Sequence, residues 1–113
     1  MAALKKLELQ CTIEMGAFNS ERVFRIQLAN GEVYQSLAAY LHFWNSADER
    51  ISRNEPSRGN SIEGLVAARL LKQSKDQLTV EIPDGEVVVV SPEIAVFRHQ
   101  EVDTNVPVGS GSR

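Results

Sequence analysis

IQLANGEVYQSLAAYLHF (26–43) and VEIPDGEVVVVSPEIAVF (80–97) align without a gap. Each reads as a strand, a turn closed by Gly, a second strand, and a short apolar coda ending in Phe. Gly31, Glu32, Val33 and Phe43 return as Gly85, Glu86, Val87 and Phe97; Asn30 is answered by Asp84, and Leu28 by Ile82. A pattern that must bury its apolar face twice fixes architecture better than any single motif. It predicts an all-β, small barrel-like fold of six or seven strands, built from two pseudo-repeated antiparallel units, 4–44 and 64–98. At about 35 residues each the units are small for autonomous barrels, so one shared core is expected.

Upstream of the first stretch, LELQCTIEM (7–15) sets Leu7, Leu9, Cys11, Ile13 and Met15 against Glu8, Gln10, Thr12 and Glu14. That alternation is a half-buried strand. Within 22–28, Phe24, Ile26 and Leu28 form the core-facing set, opposed to Val23, Arg25 and Gln27. Asn30-Gly31 and Asp84-Gly85 predict two-residue type I′ hairpins, and Pro83 then has to sit at the end of its strand. Residues 64–72 (GLVAARLLK) suit a helix by propensity, but their alignment with the first unit favours a strand. The predicted core holds Leu9, Cys11, Ile13, Phe24, Ile26, Leu28, Val33, Phe43, Leu65, Leu78, Val80, Ile82, Val87 and Phe97.

Two stretches fall outside the repeat. Residues 45–63 form a polar connector carrying Pro56 and Gly59, and 99–113 read as a flexible tail ending in Gly-Ser-Gly-Ser-Arg. Val87–Val90 is an unbroken β-branched run. Such a strand is central in its sheet or meets a partner; the central place is expected, with a homodimer through Val87–Val90 as the alternative.

The composition narrows the function classes. The chain has 113 residues and a formal charge of −3, with acids and bases interleaved, which disfavours a dedicated polyanion binder. Cys11 is the single cysteine, so no intrachain disulfide can form, and it reads as a small buried apolar residue. His42 and His99 have no ligand-spaced partners, hydrolase elbow, phosphate loop or kinase motif around them, so no metal, cofactor or catalytic residue is expected. No run is apolar for long enough to be a signal or membrane segment, which places the protein in the cytoplasm, in a bacterium.

The best site clue is an asymmetry between the units. Trp44 and Tyr34 align with Arg98 and Val88, so unit one carries rings where unit two has none. Rings with one polar end serve as hot-spot anchors and stacking platforms, although the favoured reading of Trp44 taken alone is a cap on the open end of the barrel. Arg50, Arg53 and Arg58 in the connector could meet carboxylate or phosphate. Tyr34, Trp44, Arg50, Arg53 and Arg58 are therefore the candidate binding residues. The expected role is a non-catalytic protein-interaction module or accessory subunit of a larger complex. The competing class is an RNA or single-strand binder, and a small enzyme is the least favoured.

The second unit, LVAARLLKQSKDQLTVEIPDGEVVVVSPEIAVF (65–97), resembles the small barrels of the Src-homology-3-like, Tudor and KOW type. The resemblance lies in its order of elements: strand, loop, strand, Asp-Gly hairpin, strand, then a turn with Pro and Glu before a last strand. It implies an interaction module for peptides or nucleic acids. A KOW-type unit would carry Gly64 with basic neighbours, but Arg69, Lys72 and Lys75 stand among Asp76, Glu81, Asp84 and Glu86.

Overall fold

A computed structural model describes residues 5–97. Eight strands follow in order: β1 (Lys5–Met15), β2 (Glu21–Gln27), β3 (Val33–Ala39), β4 (Phe43–Asn45), β5 (Ser61–Gln73), β6 (Leu78–Glu81), β7 (Val87–Val90) and β8 (Ala95–Phe97). Single 3₁₀ turns, Tyr40–His42 and Pro92–Ile94, precede β4 and β8. The protein is all-β: an antiparallel half-barrel of six main strands in the order β3-β2-β1-β5-β6-β7. The expected tail at 99–113, with His99, lies outside the described residues.

The long strands β1 and β5 form the spine, paired from Lys5↔Leu70 to Glu14↔Ser61. Each carries two partners along its other edge. β1 takes β2 at Thr12–Met15 and β8 at Leu7–Leu9, while β5 takes β6 at Arg69–Gln73 and β4 at Gly64–Val66. The last strand of each half thus pairs with the spine of the other. Gly64 is obligatory to this crossing: a Cβ there would overlap the Trp44 carbonyl oxygen and sit 2.6 Å from Ile13 Cδ1.

One core cluster serves both halves, with Leu9, Ile13, Phe24, Phe43, Val66, Val80 and Val90 fully buried. Phe24 and Phe43 meet edge to face at 5.5 Å between centroids. Four expected core residues are displaced. Leu65 is only half-buried, because β5 turns Val66, Ala68 and Leu70 inward. Val33, Val87 and Phe97 are exposed, the two valines because β3 and β7 turn their alternate positions inward, half-buried in β3 and buried in β7. β7 is also an end strand of the sheet, not the central one expected; its alternation meets the core with Val88 and Val90 only.

The hairpins differ from the type I′ expectation as well. Gly31 donates to the Leu28 carbonyl and Leu28 to that of Glu32; Gly85 and Ile82 repeat this pattern. Only the glycines take positive φ, near 90°. These are three-residue loops, a type I turn followed by a left-handed Gly. Pro83 occupies the first central position, where its fixed φ is favourable. Asn30 and Asp84 side chains accept the N–H of Glu32 and Glu86 in the same way.

Candidate docking cleft beside Trp44

The site begins with alternation in β4. Phe43 points into the core, so Trp44 points out, opposite Leu65 on the outward face of β5. Asn45 then folds the chain back: its side-chain oxygen accepts the N–H groups of Ala47 and Glu49, and Glu49 returns a carbonyl to the Asn45 N–H at 2.8 Å. That short loop bridges Arg50 to Trp44 and lays its guanidinium over the indole, 5.0 Å from the ring centroid. Such stacks are worth about 0.5–1 kcal/mol at exposed sites. Ile51 continues into the core, so the polar connector holds a buried apolar anchor.

Trp44 and Arg50 form one wall of an open cleft of about 550 Å³. Its floor is the outward face of β1 and β5, with Glu8 and Ala67 directly opposed. Lys6 and Arg69 extend the floor; Leu41, His42 and the β6–β7 turn at Pro83 complete the rim. Arg69 is ion-paired with Glu81. Ala67 is small, and this opens the floor. A second hollow of about 490 Å³ adjoins on the same face, lined by Gln10, Asp48 and Glu63.

Of the five candidate residues, the structure brings Trp44 and Arg50 together in this cleft. Tyr34 lies on β3 and does not line it. Its hydroxyl donates to Asp84 at 2.8 Å, as does that of Ser36 at 2.5 Å, tying β3 to the β6–β7 turn. Desolvation raises the Asp84 carboxyl, but the hydrogen bonds from Ser36, Glu86 and Tyr34 outweigh it and hold the group below its ordinary pKa. Desolvation and the bond to Asp84 push the Tyr34 phenol up. Arg53 lies 5.4 Å over Tyr40, and Arg58 donates to the Gly16 carbonyl at the far end of β1.

The residue that organises the connector escaped sequence reading. Arg22 is fully buried and donates five hydrogen bonds to carbonyl oxygens: Asn19 and Glu21 in its own turn, Ser52, Arg53 and Glu55 in the connector. Burial pulls its pKa down, and the Tyr40 side chain opposes this. The signal was its parity, since Arg22 falls in step with Phe24 and Ile26. Lys6, Glu8 and Arg69 were likewise legible as outward positions of alternating strands, but only pairing placed them together, and His42 joins them from the Tyr40–His42 turn. Cys11 is buried, and desolvation with the Glu63 charge pushes its thiol to about 12, which keeps it inert.

Among the described residues no group of three His, Cys, Asp or Glu could hold a metal ion, and no helix is long and apolar enough to cross a membrane. The chain matches no known family, curated protein or solved structure.

Proposed function

We propose that the protein is a non-catalytic protein-interaction module, an accessory subunit of a larger cytoplasmic complex that docks through the cleft beside Trp44. One observation carries this reading: a half-buried Trp, stacked by Arg50, walls a concave surface whose floor is the paired strands β1 and β5. Rings of this kind concentrate binding energy because they desolvate a large area with little rotamer entropy to lose. The order of elements in residues 65–97 supports a role of the Src-homology-3-like kind by analogy of fold alone.

Binding of RNA or single strands is the weaker reading. Arg53 and Arg58 are turned to Tyr40 and Gly16, so of the three candidate arginines Arg50 is the one that stands beside the candidate stacking ring.

The test is affinity capture with the wild-type chain and with Trp44→Ala. The substitution is expected to leave the circular dichroism spectrum unchanged while weakening partner affinity by about 2 kcal/mol, roughly 30-fold. Unfolding of the variant would make Trp44 a structural residue and end the proposal. Salt-dependent binding of a mixed oligonucleotide would favour the nucleic-acid reading instead.

A further inference from the structure

Two arginines of the connector stand over aromatic rings, and a single turn of backbone joins those rings. Arg50 lies 5.0 Å from the Trp44 ring centroid and Arg53 5.4 Å from that of Tyr40. From Tyr40 the chain passes through the 3₁₀ turn Tyr40–His42, in which no residue is buried, into β4 and Trp44. Leu41 of that turn is 54% exposed and, with His42, rims the cleft. The cleft therefore adjoins, past Leu41, a second ring-and-arginine pair outside its own lining. Behind Tyr40 the buried Arg22 adds a third positive charge, 5.6 Å from the ring centroid.

A guanidinium held to a ring by its charge keeps its N–H donors for other partners. Arg22 has none left, since all five go to carbonyl oxygens. Arg50 and Arg53 stand at exposed positions instead. Each ring also fixes where its guanidinium stands, so less rotamer freedom is lost when the planar fork meets a carboxylate. We propose that the cleft and the Tyr40 ring together seat an extended acidic peptide segment of a partner protein. One of its carboxylates meets Arg50, another meets Arg53, and an apolar side chain between them lies against Leu41. The inference rests on the reading of the cleft as a protein-docking site and names the chemistry of its occupant.

The spacing of charge favours a peptide over a nucleic acid. Two separate forks with an apolar residue between them match two carboxylates with an apolar residue between them. A nucleic acid presents a charge at every phosphate. Such a run would also meet the connector's own acids, since Asp48 and Glu49 precede Arg50 and Glu55 follows Arg53. The Glu55 carboxylate accepts from Asn45 Nδ2 and from the Ser52 N–H, which fixes it within the connector. These acids help to set the register of a peptide, because a carboxylate placed off either fork meets like charge.

Trp44 is the single tryptophan, so its emission reports what enters the cleft. The probe is the capped peptide Gly-Glu-Leu-Glu-Leu-Glu-Gly, titrated into the full chain at low salt. A saturable change in emission is expected, and the same peptide with Lys in place of Glu is expected to give none. Arg50→Ala and Arg53→Ala are each expected to raise the dissociation constant roughly tenfold or more. Arg53→Ala is the decisive variant, because Arg53 lies outside the cleft lining. Arg53→Gln, which removes the charge and keeps a polar stem, is expected to weaken binding as much, with the circular dichroism spectrum unchanged. Arg25→Ala, whose guanidinium pairs with Glu14, is expected to bind as wild type does. No saturable response at about 1 mM peptide, the weak end of specific affinity, overturns the acidic segment as occupant. An affinity unchanged in Arg50→Ala, or in both Arg53 variants, overturns it as well. Either result leaves the docking reading standing on the Trp44→Ala capture. Tighter binding of a mixed oligonucleotide, or of anionic lipid vesicles, than of the peptide overturns both.

Discussion

The two halves of the molecule follow one plan, and they differ where each meets what lies beside it. Extending the 26–43 and 80–97 alignment backwards in step sets Arg22 opposite Asp76. Arg22 is buried and draws in the connector; Asp76 sits exposed in the four-residue turn between β5 and β6, which Ser74 and Gln77 close by themselves. The seams differ too. The first half's turn reaches β7 with a backbone donor, Ala29. Its counterpart Pro83 has no N–H, and the second half's turn instead receives two hydroxyls on the Asp84 carboxylate. Similar strands can therefore be held by different chemistry. The backbone pattern specifies the sheet, and a few polar side chains specify how its ends and its long loop are tied down.

The largest expected effect breaks the first contrast. Arg22→Ala leaves several carbonyls without their donor and opens the site that holds Ser52–Glu55, so a loss of about 3 kcal/mol in denaturant unfolding is expected. Asp76→Ala, at the matching position, is expected to stay within about 0.5 kcal/mol. Equal effects at the two sites would show that the connector is not anchored as described. Gly64→Ala comes next, at about 2 kcal/mol, because the added methyl drives into Trp44 and Ile13 at the strand crossing. The corresponding place on the other spine strand is Lys5, which the reciprocal pairs Lys5↔Leu70 and Cys11↔Gly64 relate to Gly64. Lys5→Ala is expected to be neutral to thermal melting.

The smallest effect sharpens the comparison of the seams. Asp84→Asn removes the charge that the Tyr34 and Ser36 hydroxyls serve, with an expected cost of about 1 kcal/mol at neutral pH. The Asp84 carboxyl is depressed in the folded state, so its contribution is fully present above the unfolded carboxyl pKa, about 3.9, and is lost as pH falls through the lower folded value. Wild type and Asp84→Asn should accordingly converge in stability below about pH 4. Curves that stay parallel through that range would remove Asp84 from the seam.

Period-two alternation made most of the fold legible. It gave the faces of β1 and β2 and the inward Leu78, Val80 and Ile82. It failed where contrast failed. Val87–Val90 offers the same residue to both faces, so neither its buried side nor its place at the sheet edge could be read. In β5 both alternating sets are apolar, and Arg69, in step with Leu65, was the mark of the outward one. The turn type was not legible from the Asn-Gly and Asp-Gly pairs, since the same three-residue loop forms with Ala29 and with Pro83 at its first central position. For the site, Trp44 was visible as a ring that could anchor a partner or cap the barrel, and Arg50 joined it only because Asn45 folds the loop. Tyr34 looked equivalent in sequence, but Asp84, fifty residues away, determines what it touches. Arg53 and Arg58 were drawn to an aromatic ring and a carbonyl that no local pattern announces.

The exchanged terminal strands carry one further consequence. Neither half contains the strand that completes its own spine, since β4 pairs with β5 and β8 with β1. A cut in the connector would not release two independent modules. It would give two fragments that must find each other before either has a continuous sheet, so the nicked protein should behave as a fragment-complementation pair. Most of the order along the chain is then established by contacts between distant segments, which favours a slow, all-or-none transition.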